Sequence, residues 1–409
     1  MTDSTTVDAT PAPPDRSRRG ALVGAMFLMA TSAIGPGFIT QTTVFTAQLG
    51  AAMAFAILVS VLVDIAIQLN VWRVVGVSGK RAQDLGNRVV PGGGYALAAL
   101  DVFGGLVFNI GNVAGTALGL NALFGLDVKI GGALSALVAI AIFLSKRAGI
   151  AMDRIVVVLG GVMILMTLYV AIVSDPPLGD ALVQTAAPEE IDFLIITTLI
   201  GGTVGGYITY AGAHRMIESG ITGPEHVSRI NRSAITGILV TGLMRVLLFL
   251  AVLGVVAGGA KLAEANPAPS AFEHAAGETG LRVFGLIMWS AAITSVIGAS
   301  YTSVSFIVSF WSVVEKYRNW FVVGFIAIST VIYLAIGTAP AKLLVLAGAL
   351  NGLILPFGLA VLLWVAARRR DLLGGYRFPK WLLALGVAAW LLSLYLGWNS
   401  LSGLDDLWA

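Results

Sequence analysis

The 409-residue chain contains no cysteine, few histidines and few charges. Without cysteine it has neither a disulfide framework nor a thiolate metal site. The hydropathy pattern puts His214, His226 and His274 in loops or near helix ends, so a buried imidazole metal cluster is not expected. Charged residues make up 11% of the chain, against about 25% in soluble domains, which argues against soluble enzymes.

Apolar residues dominate what remains: 57% of the chain is hydrophobic, and the mean hydropathy is +0.89. A membrane-spanning helix needs about 20 apolar residues. The segments that meet this requirement number eleven, at 20–48, 51–74, 95–123, 128–145, 153–174, 193–213, 233–258, 282–312, 320–337, 341–366 and 380–398. The sequence therefore predicts an all-α polytopic membrane protein with one transmembrane domain over 19–398. A disordered cytoplasmic tail is predicted at 1–18 and an extracellular tail at 399–409.

The positions of lysine and arginine predict the orientation of these spans. With a cytoplasmic N-terminus, 20 of the 25 basic residues fall on the cytoplasmic side, four fall outside, and Arg245 lies within a span. An odd number of spans then places the C-terminus outside the cell. The protein itself is expected in the plasma (inner) membrane. The pI near 9.2 reflects these loops and does not indicate nucleic-acid binding.

The first span is interrupted by Gly35-Pro36-Gly37, which is incompatible with a regular membrane helix. Because lipid-exposed backbone cannot stay unpaired, such a break indicates a cavity or a substrate site near the membrane midplane. The sixth span carries a second run of this kind, from Gly201 to Tyr207. Two interruptions five spans apart predict inverted repeats over about 20–174 and 193–366, followed by an eleventh helix. The alternative is that these glycines allow close helix packing.

Four stretches carry a resemblance to a known family. They are Gly35-Pro36-Gly37-Phe38, the third-span run from Asn109 to Gly125, the run from Gly202 to Tyr207, and Leu353-Ile354-Leu355-Pro356-Phe357 with its following basic loop. In these stretches the chain resembles the Nramp family of divalent metal transporters. The resemblance implies the LeuT-type fold, with a 5+5 inverted repeat, broken helices 1 and 6, and an eleventh helix.

The chain departs from the family at the positions that carry its chemistry. The family's metal-binding aspartate, asparagine and methionine are matched here by Gly35, Phe38 and Gly205. Its acidic third-helix residues, which serve proton movement, are matched by Asn109 and Asn112, so the usual route of proton coupling is expected to be absent. A tenth-helix glutamine of the family falls near Gly348. Replacement of large ligands by glycine predicts a wide, neutral site that suits hydrated Mg²⁺, which dehydrates reluctantly.

The predicted substrate-binding residues lie at the two breaks and on the third span. They are Gly35, Pro36, Gly37, Phe38, Thr40, Gln41, Asn109, Asn112, Gly202, Thr203, Gly205, Gly206 and Tyr207. The candidate metal ligands are the backbone carbonyls of Gly35 and Gly202. No cofactor is expected.

Two charges within spans call for partners, because intramembrane ionisable groups usually pair or face a polar cavity. Asp64 in the second span and Arg245 in the seventh are repeat mates, and we predict a buried ion pair between them. Two interpretations of this pair are open. It is a gate or coupling site, or it is a structural contact that fixes helix register. Asp101, near the start of the third span, is a second candidate cavity group.

The leading functional hypothesis is a transporter that moves a divalent cation by alternating access. The alternative is a transporter of a small organic solute or anion on the same fold, since half-helix N-termini suit carboxylates. A non-transporting receptor or scaffold is the third possibility. An enzyme is not expected, because the chain has no nucleophile motif and no nucleotide-binding loop. The expected partners are the ion or solute and the lipid bilayer, with a monomeric protein.

Overall fold

The computed structural model describes residues 24–26, 28–144, 148–263, 266–336 and 340–401. Apart from two short 3₁₀ turns, every regular element in these ranges is an α-helix. The helices, in chain order, are α1 (Gly24–Ala33), α2 (Pro36–Leu49), α3 (Met53–Ser78), α4 (Ala82–Val89), α5 (Gly93–Phe124), α6 (Val128–Leu144), α7 (Ala148–Val173), α8 (Leu178–Ala186), α9 (Phe193–Val204), α10 (Ile208–Glu218), α11 (Val227–Ala257), α12 (Pro267–Val308), α13 (Ser312–Lys316), α14 (Arg318–Ile336), α15 (Pro340–Arg368) and α16 (Lys380–Leu401).

As far as the structure describes them, the eleven predicted spans fall on helices, and both predicted breaks are present. The first break separates α1 from α2 at Ile34 and Gly35, and the second separates α9 from α10 over residues 205–207. Eight helical stretches of the described residues are long and apolar enough to cross a membrane on their own. These eight stretches cover nine of the predicted spans, because α2 and α3 count as one stretch. The other two fall below that test, since α6 has only 17 residues and α7 forms a sharply bent pair with α8.

The bounds differ from the prediction where short helices occupy the loops. α4, α8 and α13 are polar or amphipathic and too short to read from hydropathy. α12 consists of two helices that meet at a kink with non-helical backbone at Ala276 and Gly277, so a short helix precedes the predicted eighth span. The predicted tail at 1–18 lies outside the described residues. At the other end the helix continues to Leu401, and residues 402–409 are also outside the described part.

Small residues bring the two long central helices, α5 and α12, into close contact. A Cβ on Gly119 of α5 would lie 2.6 Å from the backbone nitrogen of Trp289, and a Cβ on Gly285 would lie 2.8 Å from the Gly119 carbonyl oxygen. Helix association in membranes relies on such close approach rather than on hydrophobic driving force. Glycine therefore does allow close helix packing between α5 and α12. These two helices lie beside the two breaks.

Candidate functional site

The first break lies against α5 and α12. Gly35 has extended backbone geometry, with φ −98° and ψ −177°. A Cβ placed on it would lie 3.0 Å from Ser295 Oγ and 3.2 Å from Asn112 Oδ1, so both side chains lie against the break. Pro36, the first residue of α2, packs on Gly115, where a Cβ would overlap the proline ring. Asn112 thus lies beside the first break, and its role in binding a substrate stays a prediction.

The second break depends on a residue that sequence reasoning missed. Gly206 has φ +50°, a conformation that favours glycine. A Cβ on Gly206 would overlap Asn351 Oδ1, and the amide nitrogen of Asn351 donates to the carbonyl oxygens of Ala347 at 2.9 Å and Gly104 at 3.3 Å. Asn351 therefore supports the break from α15. The available signal was an asparagine inside an apolar span, two residues before the stretch that carries the family resemblance.

Gln41 joins the two breaks. Its amide nitrogen donates to the carbonyl oxygen of Leu344 at 3.2 Å. Cβ atoms placed on Gly202 of α9 and Gly348 of α15 would both overlap the Gln41 amide. In this conformation the Gln41 side chain fills the space that the two glycines leave, and a wide site stays a prediction. Gln41 also occupies the neighbourhood of Gly348, where the family resemblance places a tenth-helix glutamine.

The remaining predicted residues do not all lie at the breaks. The Asn109 amide nitrogen donates to Ser300 Oγ at 3.1 Å and Ser329 Oγ at 3.0 Å, so it binds α12 and α14. Thr40 lines a small cavity together with Pro267 and Phe284. Gly37 and Tyr207 both lie close to Phe108, and the rings of Tyr207 and Phe108 are 5.7 Å apart, edge to face.

Several buried polar atoms around the breaks have no hydrogen-bond partner. They are Ser32 Oγ, Gln41 Oε1, Asn112 Nδ2, Thr198 Oγ1, Tyr207 Oη and Asn351 Oδ1. An unpaired buried polar group costs several kcal/mol in an apolar medium, roughly 2–7 kcal/mol by transfer measurements. Such groups in a membrane protein indicate a place where water or a bound solute completes the hydrogen bonds.

The side chains do not form a metal cage. Within the described ranges, no group of three or more His, Cys, Asp or Glu residues is arranged to hold a metal ion. The Gly35 carbonyl oxygen, one of the two candidate ligands, already accepts a hydrogen bond from the Ile39 amide at 3.2 Å. A carbonyl oxygen has a second lone pair, so this contact leaves one ligand position. An ion at this site would be held by carbonyls, hydroxyls, amides and its own water.

Asp64 and Arg245 approach each other but do not form the predicted direct contact. Both Asp64 carboxylate oxygens lack a hydrogen-bond partner, and so do Nε and Nη2 of Arg245. The guanidinium instead donates through Nη1 to the Leu199 carbonyl oxygen at 3.3 Å and lies 4.1 Å from the centre of the Phe38 ring. The two groups are still close enough to attract each other electrostatically when both are charged. The physical reason is that α9 and α2 offer the guanidinium an alternative acceptor and an aromatic face.

Asp101 is also buried, at 1% exposure, and one of its oxygens, Oδ2, has no partner. It lies on α5 and interacts electrostatically with Tyr210 of α10. His214 of α10 is buried as well, and its Nδ1 is 2.7 Å from Ser305 Oγ. These groups line the α10 side of the bundle rather than the breaks.

Comparison with known proteins assigns the family. A family model described as natural resistance-associated macrophage protein-like (Nramp) matches residues 26–402. This chain belongs to the Nramp family. One of its relatives is the membrane protein YcsG of Bacillus subtilis (strain 168), to which this chain is 52% identical over 389 residues. That alignment covers 95% of this chain and 96% of YcsG.

Solved structures confirm the LeuT-type fold for this Nramp-family chain. The Eremococcus coleocola manganese transporter, in complex with an aromatic bis-isothiourea substituted compound, superimposes with a TM-score of 0.77 at 18% identity, covering 98% of this chain and 90% of that one. MhsT in complex with L-phenylalanine superimposes with a TM-score of 0.68 at 15% identity, covering 92% and 98%. Family and fold are those of multi-pass membrane transporters rather than enzymes.

Proposed function

We propose that this chain is a secondary transporter that moves a divalent cation, with part of its water shell, by alternating access around the two helix breaks. The observation that carries the proposal is the set of unpaired oxygen atoms buried at the breaks in a chain of the Nramp family. The solved neighbour from Eremococcus coleocola is a manganese transporter. Proteins that share this fold commonly bind their substrates where the two interrupted helices meet.

The ligand chemistry favours Mg²⁺ over softer metals. The thioether that selects softer transition metals is replaced by Gly205, and the remaining candidate ligands are oxygens. Mg²⁺ dehydrates reluctantly and usually keeps several waters, so a few carbonyl and amide oxygens suffice for recognition. The carbonyls of Gly35 and Gly202 remain the proposed direct ligands, with the Gln41 amide oxygen as a third oxygen nearby.

The proposed transport does not use the third-helix proton route of the family. Asn109 and Asn112 are amides, which neither release nor bind a proton at accessible pH. Metal-driven acidification of liposomes that disappears in an Asn109 or Asn112 variant would contradict this part of the proposal.

Uptake by proteoliposomes tests the cargo. We expect Mg²⁺ uptake by the unmodified chain and a reduction of about tenfold in Asn112→Ala, because loss of one buried polar partner is worth about 1.4 kcal/mol. Asn121→Ala is the matched control, since Asn121 lies on the same helix but is exposed and bonds locally to the Leu126 carbonyl oxygen. Absence of uptake and of binding heat for Mg²⁺, Mn²⁺ and Ca²⁺ would reject the divalent-cation proposal.

One observation favours a second candidate, a small organic carboxylate. The Asn112 amide nitrogen and the Tyr207 hydroxyl are unpaired potential donors near the breaks, where α2 and α10 begin. Helix N-termini and free N–H groups favour anions. Uptake of a radiolabelled monocarboxylate by the same proteoliposomes, with no metal uptake, would select this candidate.

We also propose the orientation and organisation predicted from the sequence. The N-terminus would lie in the cytoplasm and the C-terminus outside, with inverted repeats over about 20–174 and 193–366 in a monomeric protein of the plasma membrane. Because the chain contains no cysteine, single cysteines introduced at Ser78 and at Gly179 provide a clean test. Labelling of the Gly179 position from outside intact cells, with Ser78 protected, is expected.

A further inference from the structure

The central pair, Asp64 of α3 and Arg245 of α11, is the most unusual charged arrangement of the described residues. Both side chains are 1% exposed, and both keep hydrogen-bonding atoms without partners. Burial of an unpaired charge is very costly, whereas a neutral carboxylic acid costs far less. The arrangement therefore suits a neutral Asp64 better than a charged one.

Asp64 has two neighbouring hydrogen-bond donors, and both of them donate to a different acceptor. The Thr203 hydroxyl of α9 faces the carboxyl group, yet it donates to the Leu199 carbonyl oxygen at 2.8 Å. The Arg245 guanidinium donates to the same oxygen at 3.3 Å. Both donors that are able to stabilise a charged Asp64 are thus directed at one backbone oxygen of α9. This is the arrangement expected when the carboxyl group is neutral.

The chain has no other carboxylate at the positions its family uses for proton movement, where it carries Asn109 and Asn112. The charged group that faces Asp64 is Arg245 from α11, and from α9 it is faced by the neutral Thr203. From α2, the neutral Phe38 ring packs on the guanidinium rather than on the carboxyl group. Arg245 remains charged in both states, because a guanidinium does not lose its proton in proteins.

We propose that Asp64 is a proton-binding site of the transport cycle, and that Arg245 moves between the Asp64 carboxylate and the Leu199 carbonyl oxygen as the proton binds and leaves. The carboxylate takes a proton from the water on one side of the membrane and returns it on the other, with no other reactant. When Asp64 is charged, the guanidinium and the Thr203 hydroxyl turn towards it and release Leu199. Leu199 lies in α9, one turn and a half before the second break. The exchange therefore removes or restores the hydrogen bonds that Arg245 and Thr203 donate to the half-helix that ends at this break.

The inference rests on the proposed transport function only in assuming that the breaks alternate in access, and its test needs no cargo. Ser32 lies next to the first break, and its hydroxyl is buried and unpaired. In the cysteine-free chain, Ser32→Cys gives a single reporter thiol. Its rate of modification is divided by that of a free thiol compound at the same pH, because the reactive thiolate fraction itself rises with pH. We call this ratio the modification rate of the reporter, and it measures the opening of the break. The reporter is measured in acidic and basic potassium buffers without sodium.

We expect the modification rate of the reporter to change about tenfold with pH, which is the shift produced when a proton binds one conformation tenfold more tightly than the other. Asp64→Asn, which resembles the neutral acid, is expected to hold the rate at its acidic value throughout. Asp101→Asn is the matched control, another buried carboxyl group on a central helix, and is expected to keep the full pH response.

Three results would overturn the proposal. They are a rate that does not depend on pH in the reporter chain, a pH response that survives Asp64→Asn, and a response to sodium at constant pH in place of the response to protons. If Asp64→Asn does not fold, Asp64→Glu gives a second measure, since it is expected to move the midpoint of the pH response without removing it. A pH-dependent reporter in a protein that carries no Mg²⁺ would reject the cargo and leave the proton site standing.

Discussion

Two regions of this protein hold charged side chains away from bulk water, one with close partners for every charge and the other without. Near the C-terminal end of α10, the Glu218 carboxylate lies 3.1 Å from Arg81 Nη2 and 2.7 Å from Arg318 Nη2, and it accepts a hydrogen bond from the Tyr301 hydroxyl. We call this group the Glu218 cluster. In the central pair, by contrast, the Asp64 carboxylate has no hydrogen-bond partner at all.

Exposure explains the difference. The side chains of Glu218, Arg81 and Arg318 keep 15–20% of their surface, so water shares the cost of their charges and the contacts hold four helices together. The central pair is almost fully buried, and a charge there that finds no partner is tolerated only if it serves a function. The matched charges of the Glu218 cluster join neighbouring helices, whereas the unmatched central pair is the group for which we propose a movement.

Removal of Arg245 is expected to produce the largest effect. Arg245→Gln leaves the buried Asp64 without its opposite charge, a situation that costs about 3–5 kcal/mol in proteins. The loss should be greatest in basic buffer, where the carboxyl group is charged, and smaller in acid. The midpoint of thermal unfolding in detergent measures it.

The control for this prediction is the double variant Asp64→Asn with Arg245→Gln, which removes both charges. It should recover most of the lost stability, because two amides remain. If the double variant were no more stable than Arg245→Gln alone, the electrostatic link between α3 and α11 would have to be abandoned.

The next largest effect is expected at Gly201, where the backbones of α9 and α15 are in close contact beside the second break. A Cβ on Gly201 would overlap the Gly348 carbonyl oxygen and lie 2.6 Å from the Gly352 amide nitrogen, and neither backbone atom is free to move aside. Gly201→Ala should therefore cost about 1–3 kcal/mol. Gly324→Ala, on α14 with nothing within 4 Å, should instead stabilise by about 0.5–1 kcal/mol. Equal unfolding midpoints for the two variants would contradict the close approach of α9 and α15.

The sequence predicts the helical fold of this protein well, for a simple physical reason. Spans of about 20 apolar residues are required by the thickness of the bilayer, and glycine or proline inside them has few permitted explanations. Both breaks could be predicted from Pro36 and from the glycines before Tyr207. The short helices α4, α8 and α13 could not, because polar segments of five to nine residues carry no such constraint.

The site could be predicted only in part. Gln41 was a candidate because it lies beside the first break, but its reach across to Gly202 and Gly348 depends on the spacing of three helices, which composition does not determine. Asp64 and Arg245 lie within electrostatic reach of each other but do not form the direct contact that the sequence suggested. Leu199 competes for the guanidinium through a backbone carbonyl, and every residue type has one, so the sequence contains no signal for that choice.

A moderate effect is expected at the Glu218 cluster. Glu218→Gln leaves Arg81 and Arg318 facing a neutral amide, and at their partial exposure the loss should be about 1–2 kcal/mol, between the values for surface and buried pairs. Unlike the loss at the central pair, it should be reduced by added salt. Glu225→Gln, at a side chain 66% exposed, is the control and should leave the unfolding midpoint unchanged. A salt-independent loss would show that the cluster is as isolated from water as the central pair.

The smallest effect is expected in the loop between α15 and α16, where a charge pair is exposed. The Arg369 side chain hydrogen-bonds to Asp371 and holds the pKa of that carboxyl group below its usual value. The pair therefore stabilises the folded chain above the carboxyl group's ordinary pKa, and this contribution disappears as the pH falls through the lowered value. Because Asp371 is 60% exposed, water and salt screen the interaction, and Arg369 keeps its 2.7 Å bond to the Arg88 carbonyl oxygen without it. Asp371→Asn should therefore leave the unfolding midpoint at neutral pH unchanged within error. A clear loss of stability that persisted in high salt would mean that exposure does not separate strong charge contacts from weak ones in this protein.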